Sequence, residues 1–234
     1  MSRSSFIAPA LVLVAVVTAA CGGAADVVTT SPSPSPAPPS TAGATPATTA
    51  AASGSSWAVS DRSKATVRVR EQLVGVSLPS DAVLTATGAK GAFALNADGT
   101  FDPGSKITFD LSTLSSDQRD RDNFVKQDTL AVRQFPTADF VPTKTTGLTM
   151  PLPASGSFTF TLVGNMTVKG TTKEVSFDVT ARRDGADLTA TATANPSWKF
   201  GDFGMRAPSV PFRVLSVTDE IRVAIDLVAT GPKT

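Results

Sequence analysis

The sequence of 234 residues contains no histidine and no tyrosine, and its single cysteine is Cys21. Without histidine, the chain cannot form a Ser-His-Asp or Cys-His nucleophilic site or use imidazole as a general acid or base. Zinc sites built on cysteine and histidine are excluded for the same reason, and one cysteine cannot form a disulfide within the chain. Nucleophile-elbow and phosphate-loop motifs are also missing. We therefore predict a protein that is not an enzyme and has no catalytic residues, no metal ligands and no resident cofactor.

The sequence also lacks an excess of charge of either sign. It has 21 lysine and arginine residues against 20 aspartate and glutamate residues, a formal net charge of +1. A nucleic-acid-binding surface requires a basic patch or stripe that neutralises phosphates, and the sequence contains none. We therefore predict no nucleic-acid partner. With no disulfide available, the folded part must be stabilised by its core, and roughly 180 residues are enough to bury one.

The first 21 residues have the pattern of an export signal. Arg3 precedes an apolar run at residues 6–17 that is too short to span a bilayer as a mature helix, and small residues then lead to Cys21. The placement of this cysteine resembles the lipobox of bacterial lipoproteins, whose cysteine is diacylated, palmitate being a typical chain. The resemblance implies an exported protein, anchored through Cys21 to the outer face of the cytoplasmic membrane. Ordinary signal cleavage near Ala19 and Ala20, with an incidental cysteine, is the alternative.

Residues 22–56 form a predicted linker. They are rich in proline, alanine, serine and threonine and contain almost no large apolar side chain. Such a segment cannot bury enough surface to offset the entropy that it would lose on ordering. We therefore predict a disordered tether that holds a folded domain, residues 57–234, away from the membrane.

A period of two in the apolar residues predicts β-strands through most of the folded domain. In residues 157–180, apolar and polar residues alternate on both sides of a break at Gly170, which predicts an antiparallel hairpin. Gly164, within the first strand of this hairpin, is predicted to mark a bulge or bend. About eight such strands, separated by turns and without βαβ alternation, predict an all-β fold. The expected architecture is an eight-stranded antiparallel up-and-down barrel, which has no open edges.

One stretch departs from the strand pattern. Residues 115–130 (SSDQRDRDNFVKQDTL) have dense charge and no alternation, which predicts a short helical insertion from Ser116 or Asp117 to about residue 127. Four aspartates in this stretch are compatible with a calcium loop, but the glycine and the final glutamate of an EF-hand are missing. Arg119 and Arg121 lie among the carboxylates, so we predict a surface network of arginine–aspartate pairs instead.

Several ordered motifs resemble the YceI-like family in their residues, spacing and order. They are residues 121–124 (RDNF), 135–140 (FPTADF), 164–173 (GNMTVKGTTK), 202–205 (DFGM) and 219–221 (DEI). The resemblance covers residues 57–229. It implies a lipocalin-like barrel that binds a polyisoprenoid or another amphipathic chain in its interior, with no catalytic residues.

If the resemblance holds, the inward-facing apolar residues are the expected ligand contacts. An apolar tail suits an interior that draws on 13 phenylalanines and no tyrosine. Because each buried CH₂ contributes about 0.8 kcal/mol and association costs on the order of 4–15 kcal/mol, a long tail is favoured over a small hydrophobe. The expected ligand is therefore an isoprenoid quinone or a polyprenyl lipid. The predicted ligand-binding residues are Phe93, Leu95, Phe109, Phe124, Phe140, Phe158, Phe160, Leu162, Phe177, Ala190, Ala192, Trp198, Phe203 and Met205, with Arg119 and Arg121 as candidates for headgroup contacts.

A second hypothesis describes the protein as a cell-envelope interaction module whose barrel core is filled by its own phenylalanines. Residues 195–212 distinguish the two hypotheses, because they concentrate aromatic residues among glycines and prolines. Aromatic side chains that point outwards would form a patch suited to a protein partner, whereas inward side chains would gate a cavity. Both hypotheses are compatible with a homodimer. The lipid-binding hypothesis leaves open whether the ligand is carried, stored or sensed.

Overall fold

The computed structural model describes residues 55–209 and 212–232. The predicted export signal, Cys21 and nearly all of the predicted linker lie outside these residues. The first strand begins at Ser55, two residues before the predicted start of the domain. The described strands are β1 (Ser55–Val59), β2 (Lys64–Leu73), β3 (Ser80–Ala86), β4 (Lys90–Leu95), β5 (Lys106–Asp110), β6 (Thr137–Thr146), β7 (Ser155–Val168), β8 (Thr171–Asp184), β9 (Asp187–Ala194) and β10 (Val214–Thr230).

These ten strands build the eight walls of a closed antiparallel barrel. Strands β1 and β2 both pair with β10, so they act as two halves of one wall that is interrupted at residues 60–63. Strands β4 and β3 pair with β1 and β2 respectively and form the next wall, interrupted at residues 87–89. From β4 to β10, each strand pairs with the next one in the chain. This topology confirms the predicted all-β, eight-stranded up-and-down barrel.

The predicted central hairpin is formed by β7 and β8, which pair along their whole length without a shift in register. A register shift lies beside Gly164, where a bulge or bend was predicted, but the extra residue belongs to the neighbouring strand β6, between Pro142 and Lys144, which pair with Gly164 and Val163. A Cβ atom on Gly164 would lie 2.5 Å from the carbonyl oxygen of Val141 and 2.6 Å from the ring of Phe140. Glycine is therefore required at this position by the close approach of β6.

The helical insertion lies between β5 and β6. It consists of helix α1 (Arg119–Phe124) and a π-helical turn (Val125–Thr129). The N-cap is Gln118, not Ser116 or Asp117 as predicted. Ser116 stabilises the turn before the helix instead, because its Oγ accepts a hydrogen bond from the backbone N–H of Gln118 (3.1 Å) and donates one to Asp122 Oδ1 (2.6 Å).

The two ends of the barrel differ. The helix end carries the β2–β3 loop, α1 and the segment between β9 and β10. The opposite end, called the Trp57 end, is sealed by Trp57, which is 1% exposed, and by the buried side chain of Arg183. The guanidinium carbon of Arg183 lies 5.0 Å from the centre of the Trp57 ring, and its nitrogens donate to the carbonyl oxygens of Leu152, Pro153 and Gly185. Within the described part of the chain, no helix has the length and apolar character needed to cross a bilayer.

Candidate ligand-binding cavity

A cavity of about 860 Å³ occupies the helix end of the barrel. Its walls are the inward faces of β2, β3 and β10, and α1 with its π-helical turn lies over them. On β2, the alternation that turns Arg68 and Arg70 outwards turns Val67 and Val69 into the cavity. Other apolar lining residues are Ala82, Leu84, Met166, Val168, Ile221 and Val223. The volume lies within the range of about 300–1,000 Å³ that is typical of sites for drug-sized ligands.

Residues 198–205 close one side of this cavity. Trp198 forms two backbone hydrogen bonds with Ile221 of β10, one in each direction (2.9 and 2.7 Å). Phe200 then begins a 3₁₀ turn (Phe200–Phe203), and its N–H donates to Asp219 Oδ1 at 2.9 Å. The buried side chains from this segment that line the cavity are Trp198, Phe200, Phe203 and Met205. They point inwards, as the cavity hypothesis requires, whereas Phe212 is 94% exposed.

Asp202 fastens the closing segment to the barrel. Its carboxylate forms an ion pair with Lys173 of β8 and accepts a hydrogen bond from the backbone N–H of Lys199 at 2.9 Å. The hydrogen bond from Lys173, followed by the one from Lys199, holds the pKa of Asp202 below its ordinary value. Motif residues that are far apart in the sequence, Lys173, Asp202 and Asp219, therefore meet here. They position the segment that closes the cavity.

The polar side of the cavity lies next to α1. Glu71 follows Val67 and Val69 on the inward face of β2 and is 7% exposed. Arg121 Nη2 lies 2.5 Å from Glu71 Oε1, and Arg121 Nη1 lies 2.5 Å from Asp117 Oδ1. Both terminal nitrogens of this guanidinium are thus engaged by carboxylates. The other polar lining residues are Gln118, Asp120, Asn123, Gln127, Asp128, Thr129 and Arg213.

The predicted arginine–aspartate network is therefore present in part. Arg121 pairs with Asp117 as predicted, whereas Asp120 Oδ2 lies 2.7 Å from Nη1 of Arg213, which was not part of the predicted network. The second carboxylate that Arg121 contacts, however, is not an aspartate of this stretch but the buried Glu71 of the barrel wall, which lies far away in the sequence. In the described ranges, no group of three or more histidine, cysteine, aspartate or glutamate side chains is placed to hold a metal ion.

A second cavity of about 90 Å³ lies towards the Trp57 end. Phe109 and Ile225 line both cavities, so they stand at the boundary between them. The aromatic packing at this depth is edge-to-face: the rings of Phe140 and Phe177 are 5.4 Å apart at 84°, and those of Phe177 and Trp198 are 5.9 Å apart at 77°. An aromatic layer therefore separates the large cavity from the small one.

The residues predicted to bind a ligand divide between the two cavities. Those that line the large cavity are Phe109, Phe124, Trp198, Phe203 and Met205. Those that line the small cavity are Phe93, Leu95, Phe109, Phe140, Phe158, Phe160, Leu162, Phe177, Ala190 and Ala192. Arg121 lies on the large cavity, whereas Arg119 lines neither.

None of the lining from β2 and β3 was predicted from the sequence, because the predicted ligand contacts were mainly phenylalanines. The signal was present: Val67, Val69 and Glu71 follow one another at a spacing of two, so an inward Val67 implies an inward Glu71. A carboxylate on the inward, apolar face of a strand needs a positively charged or hydrogen-bonding partner. That partner, Arg121, lies on a different element of the fold.

Comparison with known proteins supports the same fold. Residues 57–229 match the YceI-like domain family. UPF0312 proteins of Pseudomonas putida are 32% identical over 124 residues, which cover 48% of this chain and 59% of theirs. The chain thus spans less than two thirds of the length of the curated relatives that it matches.

Three solved structures share the fold at low sequence identity. A polyisoprenoid-binding domain from Saccharophagus degradans, implicated in plant cell wall breakdown, has a TM-score of 0.56 at 9% identity, covering 75% of this chain and 98% of that domain. BcnA from Burkholderia cenocepacia has a TM-score of 0.50 at 20% identity, with 72% and 96% covered. The Campylobacter jejuni YceI protein has a TM-score of 0.50 at 16% identity, with 68% and 93% covered. At these identities the likeness shows the fold.

Proposed function

This chain belongs to the YceI-like domain family, and we propose that it binds, without catalysis, a long-chain isoprenoid or a similar amphipathic lipid. The observation that carries the proposal is the cavity of about 860 Å³ at the helix end, whose strand walls are almost entirely apolar. Burial of a tail there removes apolar surface from water, the dominant favourable term in such binding. The shared fold of a polyisoprenoid-binding domain supports the same ligand class.

The headgroup is proposed to lie at the polar side of the cavity, beside Arg121. A phosphate would have to compete for this guanidinium with Glu71 and Asp117, which already occupy both terminal nitrogens. An uncharged headgroup leaves these ion pairs intact, and the amide side chains of Gln118 and Asn123 line the same side. We therefore favour a quinone-type headgroup over a polyprenyl phosphate.

The location of the binding event is a further part of the proposal. The sequence before Ser55 supports export, lipidation of Cys21 and attachment to the outer face of the cytoplasmic membrane. A barrel tethered in this way has access to membrane lipids, which suits a carrier, a store or a sensor. The alternative of an interaction module with a filled core is disfavoured by the size of the cavity and by the inward side chains of Trp198, Phe200 and Phe203.

Mass spectrometry of the full chain, purified from the envelope of a host that makes isoprenoid lipids, tests the proposal. Native spectra followed by solvent extraction should reveal a stoichiometric lipid of several hundred daltons. Val67→Phe, in the large cavity, should lower its occupancy, whereas Ala192→Phe, in the small cavity, is the matched control for added ring volume. A protein without bound lipid that also takes up no added long-chain quinone would overturn the proposal.

A further inference from the structure

The exposed apolar side chains of the described residues are concentrated at the mouth of the large cavity. Among these residues, six large apolar side chains are exposed, and only one of them, Val83, lies on an outer wall of the barrel. The other five, called the apolar rim, are Val74 (47% exposed), Val76 (46%), Leu78 (75%), Phe212 (94%) and Leu215 (66%). Single exposed apolar residues are ordinary, but a cluster of this kind marks an interaction surface.

Two segments that are distant in the sequence build the apolar rim. One is the β2–β3 loop, and the other is the start of β10 with the residues just before it. The pairing of Leu73 with Val214 brings them together, and the N–H of Val74 donates to the carbonyl oxygen of Arg213 at 3.0 Å. Backbone hydrogen bonds therefore hold the two segments that carry the rim side by side at the helix end.

The rim continues the apolar lining of the cavity. Val74, Val76 and Phe212 line the large cavity and are also exposed to solvent. An apolar surface thus extends along these three side chains from the interior of the barrel to its outside, beside the charged lining residues Glu71 and Arg213. A tail that leaves or enters by this route stays in contact with apolar side chains.

The charge pattern around the rim is typical of a surface that meets a bilayer. Residues 74–80 (VGVSLPS) and 207–212 (APSVPF) contain no charged residue. Arg70 and Arg213 lie close to these stretches in the sequence, where they pair with Asp81 and Asp120, so the charges beside the rim are ones that lipid headgroups could meet. Charges within the tip would oppose insertion, because burial of an unpaired charge in an apolar medium is costly.

We infer that the apolar rim inserts into the interfacial region of a lipid bilayer, so that a lipid moves between the bilayer and the cavity without crossing water. This inference rests on the proposed function, because a ligand with a long apolar tail resides in a membrane. A protein partner would explain the exposed side chains, but it would not explain why they continue into the cavity.

The position of Ser55, where the described part of the chain begins, is compatible with this orientation. Strand β1 begins at Ser55, at the end of the barrel opposite to the rim. The wall formed by residues 55–73 is at most roughly 60 Å long at about 3.3 Å per residue. Residues 22–54 can reach roughly 110 Å when fully extended. An anchor at Cys21 would therefore leave the rim free to contact the membrane that holds the anchor.

A site-specific fluorescent label tests the inference in the full chain. Cys21 is the only cysteine, so the Cys21→Ser chain accepts one labelled cysteine, either Leu78→Cys in the rim or Ala97→Cys in an exposed turn at the Trp57 end. A polarity-sensitive label should shift to shorter wavelength and brighten at position 78, but not at position 97, when phosphatidylcholine vesicles are added. Adding Phe212→Asp to the labelled Leu78→Cys chain should weaken the apparent vesicle affinity about tenfold or more. Ala97→Asp, with the same charge change at the other end, should leave it unchanged.

Three results would overturn the inference. They are an unchanged label at position 78, an equal response at both positions, and a response without vesicles that follows dimer formation in sedimentation velocity. Uptake of a long-chain quinone from detergent solution separates the two proposals. If uptake persists while the label does not respond, membrane docking is wrong and lipid binding stands. If uptake also fails, the proposed function fails with it.

Discussion

Arg121 joins the helical insertion to the barrel wall, because its Nη2 atom lies 2.5 Å from Oε1 of Glu71 on β2. The side chains of Arg121 and Glu71 are only 17% and 8% exposed. This contact holds α1 over the cavity. It is the only arginine–glutamate ion pair among the described residues, and both partners line the polar side of the cavity. The position of the helix therefore depends on a pair of charges that is largely shielded from water.

Removal of one partner of this pair should be costly. Arg121→Met leaves Glu71 in the barrel wall without its counter-charge, and we expect it to lower the free energy of unfolding by about 3 kcal/mol. Urea unfolding of the purified protein measures the loss. Arg213→Met is the matched control, because the Arg213–Asp120 pair is 69% and 76% exposed and should contribute less than about 1 kcal/mol. Equal losses in the two variants would contradict the prediction that the shielded Arg121–Glu71 pair contributes more to stability than the exposed Arg213–Asp120 pair.

Phe109 should control the length of tail that the barrel accepts. Phe109→Ala removes a ring that lines both cavities, so the two spaces should merge and the preference among quinones should move towards longer tails. Competition between quinones of different tail length measures the preference. The same truncation at Phe93, which lines only the small cavity, should leave it unchanged. Both variants should lose about 3–5 kcal/mol of stability, so the stability loss alone cannot explain a change seen only in Phe109→Ala. An unchanged preference in Phe109→Ala would be evidence that its ring does not separate the two cavities.

Gly164 should not tolerate a methyl group. In Gly164→Ala the new Cβ would meet the carbonyl oxygen of Val141 at 2.5 Å, and relief of this clash requires movement of β6. We expect a loss of about 1–3 kcal/mol in the free energy of unfolding, as for other overpacked sites. Gly201→Ala is the control, since nothing lies within 4 Å of a Cβ there. A Gly164→Ala protein as stable as the Gly201→Ala protein would show that β6 can move freely.

Asp202 should make the closing segment sensitive to acid. Its pKa is lowered in the folded state by the hydrogen bond from Lys173 and then by that from Lys199. A lowered pKa means that the stabilisation is complete above the unfolded value of about 3.9 and disappears as the pH falls through the folded value. Wild type should therefore be more stable than Asp202→Asn at pH 7, and the difference should shrink below about pH 4. Unfolding curves of both proteins across this range test the expectation, and a difference that does not change with pH would refute it.

Much of the fold could be predicted because its signal is local. The alternation in residues 157–180 depends only on which side of a strand faces the core, and β7 and β8 pair as that pattern predicts. The interruptions at residues 60–63 and 87–89 were not predicted, because a wall broken into two strands has no signature in a single strand's periodicity. The role of Gly164 was missed for a related reason: the glycine is required by the close approach of atoms on β6, which the sequence of β7 does not reveal.

The candidate site could be predicted only in part. Periodicity identifies the face of a strand but not its depth along the barrel, so the predicted phenylalanines could not be divided between two cavities. Phe109 and Phe140 lie on neighbouring strands, yet Phe109 reaches both cavities and Phe140 only the small one. The apolar rim required still more information, because it combines two loops that are joined only by the pairing of β2 with β10.

The sequence by itself determined the class of this protein: its absent histidines exclude catalytic sites that depend on histidine, its alternation specifies an antiparallel barrel, and its ordered motifs indicate the family. Tertiary structure alone decided where the interior is empty and what surrounds it. The reason is that a cavity is a difference between the volume that the backbone encloses and the volume that the side chains fill. The pairing of Glu71 with Arg121 likewise depends on the closure of a long loop, which no local pattern of residues specifies.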